Sequence, residues 1–196
     1  MKRFLRAFLC VILAAAAASP AFPASQGAAP ATPSIALERF EVVHYDGFWA
    51  YDKSVRPSRG EAGERGAPLC VAFVFLVGNP NDVALNLTGL SFNARIDGFD
   101  LLRVNNRDAF WIPPGKTARV RVEAFLTADG AFRSLSANGG RLLSERGVSA
   151  WDEVERIWKG AAAYSIPVEI REGRAEYTDG GRSFVTPFSQ IIPPAN

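Results

Sequence analysis

Leu69-Cys70-Val71-Ala72-Phe73-Val74-Phe75-Leu76-Val77 is an unbroken apolar run that ends on Gly78-Asn79-Pro80-Asn81. A run this short, rich in β-branched and aromatic residues and bounded by turn formers, reads as a strand. Apolarity at every position reads as burial on both faces. The segments around it alternate instead. In Leu85-Asn86-Leu87-Thr88 and Phe92-Asn93-Ala94-Arg95-Ile96-Asp97, apolar and polar residues take turns, with Gly89-Leu90 between them as a place for a bulge. Val120, Val122 and Ala124 oppose Arg119, Arg121 and Glu123, and Ile166, Val168 and Ile170 oppose Pro167, Glu169 and Arg171. Such alternation puts one face on a core and one in water. Further strands are expected within Ile35 to Tyr51, within Asp100 to Trp111 and at Arg182 to Ile191. About seven antiparallel strands predict an all-β fold, two sheets packed as a sandwich.

One segment breaks the period of two. Trp151, Val154, Ile157, Trp158 and Ala161 recur at steps of three and four, with Ser149 placed to cap, Asp152 as its capping-box partner and Gly160 as a stop. This predicts one amphipathic helix over 149–160, inserted before the last strands. Its tryptophans should plug the open side or end of the sandwich, and Asp152, Glu153, Glu155 and Arg156 should form its wet face. A shorter helical turn is expected over Asp129 to Ala137, capped by Asp129, with Phe132 and Leu135 inward.

The chain has 196 residues, 48% of them hydrophobic and 21% charged, an ordinary globular mix. The formal charge is +2, but Lys2, Arg3 and Arg6 stand before the apolar stretch Ala7 to Ala18. Without these three the chain has 19 basic against 20 acidic residues, so no electrostatic case for nucleic acid survives. A basic start, a short apolar stretch and small residues at Ser19 and Ala21 match a secretory signal over 1–21. Its twelve apolar residues span about 18 Å as a helix, short of a bilayer core. Cleavage after Ala18 or Ala24, or an uncleaved inner-membrane anchor, are the alternatives. Cys10 lies inside the apolar stretch behind Phe8 and Leu9, the wrong place for lipidation. The 22–33 segment, with Pro23, Pro30 and Pro33, reads as an Ala/Pro-rich linker. The folded domain is then 34–193. It is long enough to bury about 70% of its unfolded surface without a metal or a disulfide.

Chemistry-bearing residues are few. The one histidine, His44, sits in a strand and reads as a hydrogen-bonded structural residue. Once a signal is removed, Cys70 has no disulfide partner, and its apolar run makes it a small core residue. There is no Gly-x-Ser-x-Gly elbow, no phosphate-binding glycine loop and no zinc-ligand spacing. Gly78-Asn79-Pro80-Asn81-Asp82 does not follow the calcium-loop pattern. Asn86-Leu87-Thr88 fits the glycosylation pattern but lies in a strand. The polar, glycine-rich Asp52 to Pro68 reads as a solvated loop. Neither a catalytic residue, a metal ligand nor a cofactor is assigned. Pro80 fixes its own φ and disfavours helix at Asn79. Asn79 and Asn81 can bond to nearby backbone and close a turn, as can Pro113-Pro114-Gly115.

The apolar strand entering Asn79-Pro80-Asn81, then Leu85 to Gly98, then Ile112-Pro113-Pro114-Gly115-Lys116-Thr117 before an alternating strand, resembles the WHy domain of type 2 late embryogenesis abundant proteins. Tyr164 to Ile170 and Val185-Thr186-Pro187-Phe188-Ser189 are similar to its closing strands. The resemblance implies an immunoglobulin- or fibronectin III-like sandwich and a non-catalytic, protective role in desiccation or other stress. With the signal segment it implies a bacterial envelope protein, periplasmic or secreted. The partners expected are protein clients or a membrane surface, reached by surface contact. Two rivals are a carrier of lipid or another apolar ligand, and an accessory subunit of an envelope assembly that pairs through a strand edge.

Overall fold

The computed structural model describes residues 31–45, 48 and 68–194. The expected signal segment, Cys10, most of the linker and all but the last residue of the Asp52 to Pro68 loop lie outside these. The described elements are β1 (Ser34–His44), β2 (Leu69–Gly78), β3 (Leu85–Ile96), β4 (Phe99–Asn106), β5 (Phe110–Ile112) and β6 (Thr117–Leu126). The helices α1 (Ala128–Asn138), α2 (Gly140–Arg146) and α3 (Ala150–Ala162) follow, then β7 (Val168–Thr178) and β8 (Ser183–Ile192). All strand pairings are antiparallel. One sheet has the order β1-β2-β6, and the other β4-β3-β7-β8 with β5 also on β3. The two sheets pack as the expected sandwich.

The apolar run is the central strand of the three-stranded sheet. Leu69, Val71, Phe73, Phe75 and Val77 point into the core and are fully buried. Across the gap the alternating β3 sends down Leu85, Leu87, Phe92, Ala94 and Ile96. Phe92 ties the layers together, with its ring 5.0 Å from Phe73 and 5.4 Å from Phe75, both edge to face. The buried side chains of both sheets and of the helices join in one hydrophobic core.

The helices join the C-terminal end of β6 to the start of β7 and cover that end of the sandwich. The Ser149 capping box with Asp152 is formed, and Val154, Ile157, Trp158 and Ala161 are buried. Trp151 is only half-buried and stacks on Phe132 of α1 at 4.3 Å.

Several expectations need correction. The helical insert has three helices rather than one and a turn. Thr127, not Asp129, caps α1, by accepting from the Gly130 amide. Burial on both faces of β2 holds for Ala72 and Val74, but Cys70 and Leu76 on the outer face are half-buried. The core face belongs to the odd-numbered residues, so Cys70 is not a core residue. Glu153 is not on the wet face of α3: it is 1% exposed. The closing strand β7 runs well past Arg171, because Glu172 adopts φ 52° and forms a bulge after which pairing resumes. Gly173 is needed there. A Cβ would lie 2.6 Å from the Phe188 ring and from the Phe188 carbonyl oxygen.

Candidate interaction surfaces

The residues read as turn makers do that work. Asn79, 2% exposed, donates from Nδ2 to the carbonyls of Val83 (2.8 Å), Ile112 (3.1 Å) and Pro113 (3.2 Å). Its Oδ1 accepts from the Asn81 amide at 3.0 Å, and its own amide donates to Lys116 O at 2.8 Å. One side chain thus ties the β2–β3 corner to the Pro113-Pro114-Gly115 corner, linking the two sheets. Asn81 exchanges two hydrogen bonds with the backbone of Ala31. Gln190 on β8 does the same with Leu37 on β1: its Oε1 accepts from the Leu37 amide at 2.7 Å and its Nε2 donates to the Leu37 carbonyl at 3.0 Å. Sequence reading missed Gln190, because the strand-edge peptide it binds is distant in the chain.

His44 ends β1, exposed, and the register sets it opposite Cys70, which in turn faces Phe125 on β6. The fold therefore brings the histidine and the cysteine to neighbouring positions on an open face. Among the described residues no group of three or more His, Cys, Asp or Glu is placed to hold a metal ion, and no helix is long and apolar enough to cross a membrane.

The two outer faces handle charge differently. On the three-stranded sheet, Arg119 grips Glu38 through Nε at 2.9 Å, Arg39 bridges Glu38 (2.7 Å) and Glu41 (2.6 Å), and Arg121 joins Glu41 (3.1 Å) and Glu123. These side chains roof Ala72 and Val74. The flanking guanidinium groups hold the Glu38 and Glu41 carboxyls below the usual range. On the five-stranded sheet, a groove of about 440 Å³ crosses β4, β3 and β7. Ser91, Asn93 and Asn105 line it, together with Arg103, Arg107 and Arg174. Glu176 pairs with Arg107 at 2.7 Å, and Glu172 accepts from Asn93 at 2.6 Å. Arg103 and Arg174 have no carboxylate partner among the described residues, so this groove presents uncompensated positive charge and several hydrogen-bond donors.

Two other features were candidates. A pocket of about 190 Å³, lined mainly by Phe40, Tyr164, Ile166, Val168 and Ile192, opens between β1, the end of α3 and β8. That is smaller than the roughly 300 Å³ at which small-molecule sites begin. Under the helices, Arg146 bonds Asp97 (2.6 Å) and Glu153 (2.5 Å), and Arg156 meets the same two acids. Burial pushes the Glu153 carboxyl up, against the pull of Arg146. The cluster pins α2 and α3 to the β3–β4 turn, with Glu153 buried and the two guanidinium groups partly open to solvent.

No curated protein matches the sequence. Among solved structures the chain is similar to a protein of Arabidopsis thaliana solved in solution, at 11% identity and TM-score 0.46, covering 91% of this chain and 93% of that one. It is also similar to a protein from Archaeoglobus fulgidus, at 11% identity and TM-score 0.42, covering 80% and 94%. The putative ApaA protein from Bordetella pertussis compares at 10% identity and TM-score 0.43, covering 84% and 94%. The family profile described as late embryogenesis abundant protein matches residues 74–190, from the middle of β2 to Gln190 on β8. That span takes in well over half of the chain, and with it both sheets and the helical insert: the chain belongs to the type 2 late embryogenesis abundant protein family.

Proposed function

We propose that the chain is a non-catalytic stress-protection domain of the WHy type, active in the bacterial envelope after loss of residues 1–21. It works by reversible surface contact with protein clients or membrane, without turnover. The observation that carries this reading is the open groove on the five-stranded sheet, where Arg103 and Arg174 have no carboxylate partner among the described residues. Guanidinium groups without an internal partner are free to bond carboxylates or phosphates on another surface. The polar side chains that could otherwise be read as a site, Asn79 and Gln190, are consumed by backbone hydrogen bonds. The rival reading as a carrier of an apolar ligand has less support, since the apolar pocket between β1, α3 and β8 holds about 190 Å³.

The test is a drying or freezing assay on a client enzyme, with the purified chain at several molar ratios. Residual client activity should rise with the ratio and level off as contacts saturate. Equal loss of activity at every ratio would remove the proposal.

A further inference from the structure

The sandwich has four long strand edges, and three carry a device against pairing with another chain. β1 is bulged at Glu38 and Val43, and Gln190 occupies its Leu37 peptide. β4 is bulged at Leu101. β8 has Pro187, which lacks an amide hydrogen. β6 has none of these: Thr117 to Leu126 pairs with β2 over ten residues without a register shift and contains neither Pro nor Gly. Among the described residues no strand pairs with its other side. Phe125 at its end is 65% exposed.

The sequence of this edge is complementary to itself. We propose that two copies of the chain associate by antiparallel pairing of β6 with β6, about a two-fold axis at Val122. Outward-facing residues then oppose outward-facing ones. Arg121 faces the second copy's Glu123, twice by symmetry, and Arg119 faces the second copy's Phe125. Opposed side chains across such a pair have Cβ atoms about 4.5–5.5 Å apart, within reach of an ion pair and of a guanidinium over a ring. On the core side, Val122 meets Val122 and Val120 meets Ala124, all small and apolar. The register is selected by charge. Moving the axis by one residue stacks Arg121 on Arg121 or Glu123 on Glu123. Moving it to Val120 stacks Arg119 on Arg121. Like charges directly opposed are destabilising. Moving it to Ala124 leaves Glu123 facing Phe125 and no ion pair. The axis at Val122 turns two three-stranded sheets into one of six strands, closes both open edges and covers Phe125. This inference stands apart from the protective reading, which needs no second copy.

Sedimentation equilibrium on the purified chain tests it. The wild type should show twice the chain mass, falling toward one on dilution. Arg121→Glu and Glu123→Arg, each alone, put like charges across the axis and should sediment as single chains with unchanged circular dichroism. Mixed in equal amounts, the two variants regain opposite charges at both positions and should recover the double mass. A wild type that stays single at every concentration overturns the pairing, as do variants that still dimerise alone. A mixture that remains single overturns the register, and open-ended aggregates overturn the two-fold axis.

Discussion

On the outer face of the three-stranded sheet, Glu38, Glu41 and Glu123 meet Arg39, Arg119 and Arg121 in water; under the helices, Arg146 and Arg156 reach in from the surface to Asp97 and to Glu153, whose carboxyl is buried. The residue types and contact distances are alike. The surroundings are not. In the first cluster each ion keeps much of its hydration, so the pairs are worth little singly and the stems matter as a cover for Ala72 and Val74. In the second, Glu153 has given up its water, and the loss of Arg146 leaves its buried charge to Arg156 alone. Burial rather than contact geometry therefore decides which cluster holds the molecule together.

That contrast can be broken most sharply at Arg146. Arg146→Met removes one of the two cations that bond Glu153 and, with Arg156 still in place, should cost about 1.5–3 kcal/mol at neutral pH, read by urea unfolding. A carboxyl pushed up by burial favours the folded state below its ordinary value and loses that contribution as pH rises through its raised one. Acidification should therefore neutralise Glu153 and narrow the gap between variant and wild type. A pH-independent gap would assign the loss to packing on the Phe99 ring, over which the Arg146 guanidinium sits at 5.1 Å.

A neutral counterpart of the buried cluster is Asn79. Asn79→Ala takes the side-chain donor from three carbonyls at the junction of two corners, of which Pro113 O keeps the Lys116 amide, and a loss of about 1–3 kcal/mol should follow in the same measurement. A change close to zero would mean that water replaces the amide. Gln190→Ala should cost about 1 kcal/mol, because the freed Leu37 backbone is only partly buried. Its effect should show more in faster hydrogen exchange at Leu37 than in the unfolding midpoint.

The exposed cluster defines the small end of the scale. Arg119→Met should leave the unfolding midpoint almost unchanged, and added salt should shrink any difference further. The Glu38 and Glu41 carboxyls are held low, so their contribution is present above the ordinary glutamate value and fades as pH falls through their lowered values. Between neutral pH and pH 3 the two clusters therefore respond with opposite sign. Thermal melts of wild type, Arg119→Met and Arg146→Met across that range separate them.

What the chain discloses before folding follows from locality. The β2 run, the alternation of β3 and β6, and the Ser149–Asp152 box are each written within a dozen residues, and each holds in the structure. The family profile matches 74–190, which holds most of the motifs on which the family resemblance rests. Features that depend on distant partners were hidden. Glu153 looks like a surface residue because Arg146 and Asp97 are seven and 56 positions away. The helix α2 opens on Gly139-Gly140 and ends at Gly147 in a left-handed conformation, a composition that reads as loop. Glu172-Gly173 reads as a turn, yet the Phe188 ring fills the space of the missing Cβ and the strand continues. The unpaired state of Arg103 and Arg174 depends on which of many acids fold near them, and no local pattern encodes that.

The claim on which the rest depends is that protection is exerted by the face of the five-stranded sheet. The direct measurement is client survival after drying with wild type, Arg103→Glu/Arg174→Glu and Arg119→Met at equal molar ratio. The account predicts that Arg119→Met protects like wild type and that the double exchange, equally well folded, loses most of the protection. Undiminished protection by the double exchange would contradict it.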